Sequence, residues 1–138
     1  MKAIVLISLF FIINLLNADD MKIESSIYDE LIHAIVHTSK PHVYIYGKID
    51  SLEKHHENII LEHNCTNADI VILTTFNNFP IECSDKILLG TKYSHTKDSR
   101  VLGAFFWQKG RPNIVFYQTR LNKYHITLEN NLNEFIEK

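Results

Sequence analysis

Residues 101–118, VLGAFFWQKGRPNIVFYQ, set two apolar and aromatic runs on either side of Lys109-Gly110-Arg111-Pro112. That arrangement predicts a β-hairpin. Nearly every position in both runs is large and apolar, so neither face of the hairpin is patterned for solvent. Side chains alternate across a strand. Leu102, Ala104 and Phe106 are therefore expected on one face, and Val101, Phe105 and Trp107 on the other. Such a hairpin is either sandwiched inside the molecule or keeps one face for a partner.

The first residues have the pattern of an export signal. Lys2 supplies a charge, Ala3 to Leu16 is almost wholly apolar, and Leu15-Leu16-Asn17-Ala18 ends on a small residue before Asp19-Asp20. The apolar run is shorter than the ~20 residues that span a bilayer comfortably. Residues 1–18 are read as a cleaved signal peptide, with retention as an N-terminal anchor the alternative. Residues 19–138 are read as a single exported domain, long enough to bury its own core. The formal net charge is −2 and the basic residues are scattered, unlike the clustered footprint of a nucleic-acid binder.

Both cysteines, Cys65 and Cys83, fall in the exported part. An even count in an oxidising compartment argues for a disulfide over two buried thiols. The pairing constrains architecture. Residues 68–75, ADIVILTT, read as a strand buried on both faces, as in the centre of an α/β sheet. Cys65 precedes it and Cys83 follows it. They meet only if the chain returns along the strand, so that the next strand, from Lys86, runs parallel to it. An antiparallel neighbour forbids the bridge. Elsewhere, Ser25 to Thr38 reads as an amphipathic helix capped by Ser25 or Ser26 and ended by Pro41. His42 to Gly47 reads as a strand, Ser51 to Glu57 as a short helix and Ile59 to Leu61 as a short strand. Thr127 to Glu137 reads as a closing helix capped by Thr127. The fold class expected is α/β: a small mixed sheet with a parallel central pair, a C-terminal β-hairpin and flanking helices.

Chemistry-bearing motifs are scarce. Among eight histidines, His33 and His37 have one-turn spacing, and His55, His56 and His63 lie near Cys65, but no set of three or four ligands has a zinc pattern. Cys65 with His63 is a candidate Cys–His pair that a disulfide would disarm. No nucleophile elbow occurs, and the glycines are too dispersed for a phosphate loop. No catalytic residue, metal site or cofactor is expected. What remains is aromatic: Phe105, Phe106, Trp107, Phe116 and Tyr117. Core packing accounts for many of these. Interface anchors are enriched in Trp, Tyr and Arg, which makes Trp107 and Arg111 near the hairpin tip the first candidates for a partner surface, with Phe105 and Tyr117 beside them.

Gly103-Ala104-Phe105-Phe106-Trp107, then Gly110-Arg111, then Phe116, resembles the C-terminal hairpin of the YfiR family of periplasmic regulators. Residues 124–136 look like that family's closing element, and HVYIYG and ADIVILTT fall where it has early strands. Tyr117-Gln118-Thr119 replaces the family's usual acidic-plus-Asn stretch, and a second cysteine pair is missing. The resemblance implies a non-enzymatic periplasmic protein that binds the periplasmic domain of an inner-membrane signalling protein. In that family the partner is a membrane-bound diguanylate cyclase, whose release raises cyclic-di-GMP. A disulfide with a redox role is also implied. The rival expectation is a periplasmic small-ligand-binding module with Thr74, Thr75, Phe76 and Asn77 lining a site beyond the strand ends. A homodimer is compatible with either.

Overall fold

A computed structural model describes residues 20–138. The expected signal peptide lies outside the described residues. A single seven-stranded sheet, in the order β2-β1-β3-β4-β5-β6-β7, organises the chain. Its strands are β1 (His42–Tyr46), β2 (Ile60–Glu62), β3 (Ile70–Leu73), β4 (Ile87–Gly90), β5 (Val101–Gln108), β6 (Arg111–Tyr117) and β7 (Ile136–Glu137). Strands β2, β1, β3, β4 and β5 are mutually parallel, β6 is antiparallel to β5, and β7 is parallel to β6. The α/β class, the parallel centre and the C-terminal hairpin are as expected. The parallel region extends well beyond a central pair.

Period-two alternation divides the core cleanly. Val43, Ile70, Ile72 and Leu89 pack into one cluster, whereas Val71, Leu73 and Leu88 pack into the other. Both faces of β3 are therefore dry, which is why its sequence is a continuous apolar run. The first face is covered by helix α1 (20–35), which buries Tyr28, Leu31, Ile32 and Ile35. Each such side chain contributes roughly 1.5–3 kcal/mol of burial. Short helices α2 (Asp50–Lys54) and α3 (Gln118–Lys123) add Leu52 and Leu121 to the same layer. Ser25 is inside α1 and does not cap it: its hydroxyl donates to the Lys22 carbonyl at 3.0 Å.

The second face is covered by irregular chain. Cys65 and Cys83 are bonded there, with Cα atoms 5.7 Å apart. β3 and β4 run parallel, Ile70 opposite Ile87, as the bridge requires. The strand itself is shorter than the run 68–75, so the return path 74–86 has less distance to cover. Arg100 fastens this layer. Its guanidinium donates to both Asp98 carboxylate oxygens (3.0 and 2.7 Å) and to the Ser84 hydroxyl (2.9 Å), and lies 5.4 Å from the centre of the Phe76 ring. That hydrogen bonding holds the Asp98 carboxyl below its ordinary range.

Two expectations about the C-terminal half are corrected. Leu88 stands opposite Val101 but Leu89 opposite Gly103, so Leu102 is an extra residue in β5. This bulge shifts the alternation, and Leu102 joins Phe105 in the first cluster while Val101 faces the second. The expected closing helix is a 3-10 turn, Asn130–Phe135, followed by β7. Asn130, Asn131 and Asn133 are weak helix formers, and β6 offers an open edge on which Ile136 and Glu137 pair.

Candidate functional site at the strand ends

The strand order produces a crevice. From β1 the chain turns toward β2, and from β3 it turns the other way toward β4. Diverging connections leave a gap above the carboxyl ends of the two strands, where open parallel sheets commonly hold ligands. Gly47 has φ +112°, open to glycine, and a Cβ there would stand 2.9 Å from that of Thr74. The close approach is used: the Thr74 amide and hydroxyl both donate to the Tyr46 carbonyl, at 2.9 and 3.1 Å. Thr91 repeats the device on the next strand, donating its hydroxyl to the Leu73 carbonyl at 3.1 Å.

A cleft of about 360 Å³ lies here, floored by Lys48 to Ser51, Thr74 and Thr91. One wall is α1, through Met21, Glu24 and Tyr28; the other is β5, through Phe105, Phe106 and Trp107. A second cleft of similar volume adjoins it at Asp20 and Gly110, sharing Met21, Glu24 and Trp107. Trp107 is 42% exposed, and its Nε1–H donates to Glu24 Oε1 at 2.8 Å. Its ring leans on Phe105 at 5.9 Å, and Phe105 meets Tyr28 edge-on at 4.8 Å. Burial, aided by the Glu24 charge, pushes the Tyr28 phenol above its ordinary pKa. Lys48 sits 3.7 Å from Asp50.

The residues expected at a partner surface do not converge. Trp107 is exposed as expected. Phe105 is 1% exposed and belongs to the core, so it is unavailable to a partner. The turn is Lys109-Gly110, both with positive φ, and Arg111 begins β6 opposite Gln108. Because Trp107 pairs with Pro112, Arg111 lies on the opposite face of the ribbon from Trp107. Tyr117 is at the far end of β6, under the Arg120 guanidinium at 4.2 Å. Of the residues expected to line a ligand site, Thr74 does so. Phe76 packs against the second core cluster, and Thr75 accepts from the Asn77 amide in the following turn.

Among the described residues no three His, Cys, Asp or Glu side chains are grouped to hold a metal ion. His33 and His56 each place Nδ1 2.8 Å from the carbonyl four residues earlier, Asp29 and Leu52. Cys65, bonded to Cys83, has no thiol to pair with His63. Glu24 and Tyr93 were not singled out from sequence. Tyr93 is 54% exposed and stacks edge-on against Phe106 at 5.8 Å. The apolar-aromatic rim thus continues around the tip of β5. No helix among the described residues is long and apolar enough to cross a membrane.

No family model matches the chain, and no curated protein matches it. The fold is similar to that of a conserved domain protein from Vibrio cholerae O1 biovar El Tor strain N16961, at 10% sequence identity and a TM-score of 0.52. The likeness covers 79% of this chain and 57% of that one, so this chain spans little more than half of that structure's length, and what the two share is the fold.

Proposed function

We propose that this chain is an exported, non-enzymatic signalling regulator that works by protein–protein contact at the Trp107 end of the sheet. The partner class is the periplasmic domain of a membrane-bound diguanylate cyclase or sensor protein, held inactive while bound. The observation that carries the reading is an indole that folding leaves 42% exposed and that a hydrogen bond to Glu24 holds in place. A pre-positioned aromatic anchor is what contact surfaces use. Tyr93 and Phe106 form a second aromatic pair on the other face of the ribbon. The disulfide fits an oxidising compartment, and the hairpin's resemblance to the YfiR family supports the partner class. Affinity capture from inner membranes tests this. The wild-type chain should retain a cyclase or sensor that Trp107→Ala releases. Equal retention by a folded Trp107→Ala variant would remove the anchor.

A second reading is favoured by the crevice itself. Its position at the diverging ends of β1 and β3 is that of a small-ligand site, and its volume lies in the range such sites occupy. Thermal stabilisation by a small molecule, abolished by filling the crevice with Thr74→Phe, is the expected result.

A further inference from the structure

We propose that the crevice binds a small organic cation, an ammonium or quaternary amine, with Glu24 as counter-charge and the Trp107 ring as wall. This names the ligand class of the second reading and rests on it. Glu24 and Trp107 line both adjoining clefts, so they stand at the junction of the accessible space. Their hydrogen bond fixes carboxylate and indole side by side before any ligand arrives. Among the described residues no cation lies within ion-pair distance of Glu24, whose only side-chain partner is the neutral indole.

The surrounding charges agree. Asp20 and Asp50 add to Glu24, while Lys48, the one cation on the lining, faces Asp50 at 3.7 Å. A carboxylate beside an open aromatic face is the combination that attracts ammonium groups: the ring quadrupole and the charge act in the same direction. An anion would meet Glu24, Asp20 and Asp50, with Lys48 as the one charge of favourable sign. Ser51 adds a polar point. It lines the crevice, and its hydroxyl is the one buried side-chain oxygen or nitrogen among the described residues without a partner.

Trp107 is the chain's single tryptophan, so its fluorescence reports directly on the wall. The whole exported chain is titrated with choline and, in parallel, with 3,3-dimethyl-1-butanol, the neutral carbon isostere, at matched ionic strength. Choline is expected to change the emission and to bind at least about tenfold more tightly than the isostere. Glu24→Gln keeps an acceptor for the indole but removes the charge. It should abolish the preference while leaving the thermal midpoint close to wild type. Lys48→Ala should leave the preference intact or increase it. Equal binding of choline and the isostere would overturn the charge assignment and leave a neutral-ligand site standing. Binding of neither would overturn this inference and the small-ligand reading together.

Discussion

Phe105 and Trp107 project from the same face of β5, and two residues of separation give them opposite roles. Phe105 is 1% exposed, against Tyr28 and beside its cross-strand partner Ile114, whereas Trp107 meets the rim of α1 through Glu24 and stays 42% exposed. Phe105→Ala should cost about 3–5 kcal/mol in denaturant unfolding, the usual range for an emptied aromatic core site. Trp107→Ala should cost about 1 kcal/mol or less while weakening partner retention. A comparable loss from both would place Trp107 in the core. Nearness to the hairpin tip singles out Trp107 in the sequence, but Phe105 stands beside it as a candidate there, because alternation assigns a face to a residue and not how far the covering layer extends. His95 was hidden. It is buried, and its Nδ1 accepts from the Thr91 and Lys92 amides at 3.1 and 3.3 Å, which requires a neutral ring. Burial, then the Lys92 charge, lowers its pKa from 6.5. The unfolded chain then binds a proton there before the folded one does. Its contribution to stability is full above the unfolded value and declines as pH falls toward the folded one. The urea midpoint should therefore drop as pH falls through about 6.5 and below, and drop less in His95→Gln. An identical acid slope in the two proteins would exonerate His95.

At the level of elements, strands were more legible than helices. HVYIYG and ADIVILTT are dense in β-branched and aromatic residues, and both are parallel strands of the sheet centre. The cysteine spacing carried long-range information, since only a parallel β3–β4 pair lets Cys65 reach Cys83. Helix α3 was missed because Leu121 is its only buried residue, too little to leave a periodic signal. The bulge at Leu102 was also silent, because it arises from the register against β4 and not from any residue type. The hairpin turn was nearly right and invites a test. Lys109 and Gly110 have φ of 53° and 73°, the geometry of a type I′ turn, for which Asn-Gly is preferred. Lysine gains nothing from the left-handed region, whereas asparagine tolerates it. Lys109→Asn should raise stability by about 0.5–1 kcal/mol without changing binding, as read by unfolding midpoint and partner retention. No gain in midpoint would mean that the backbone there relaxes freely.

The whole molecule is asymmetric about its sheet. One face is roofed by α1 with α2, α3 and the C-terminal turn, a thick layer drawing on the larger core cluster. The other is roofed by connections alone, residues 63–69, 74–86 and 91–100, packed on a smaller cluster. Loops covering a sheet bury little apolar area per residue and must be fixed by other means. Here the means are the Cys65–Cys83 bond and the Arg100 contacts to Asp98, Ser84 and Phe76. The bond spans a sequence separation of 18, and on the chain-entropy model its loss costs about 3 kcal/mol. That loss should not be evenly distributed. The helical face retains all its contacts when the disulfide is opened, whereas residues 74–86 are left with scattered side-chain ties: Thr74 and Asn77 to Tyr46, Phe76 and Phe79 on the smaller cluster, and Ser84 to Arg100. Hydrogen exchange on the reduced chain should therefore show lost protection first over 74–86 and 91–100, with α1 and β1 protected until global unfolding. Arg100→Ala in the oxidised chain should loosen the same two segments more weakly. Uniform loss of protection across both faces would mean that the two layers unfold as one cooperative unit. In that case the disulfide stabilises the molecule as a whole, with no special claim on the loop-covered face.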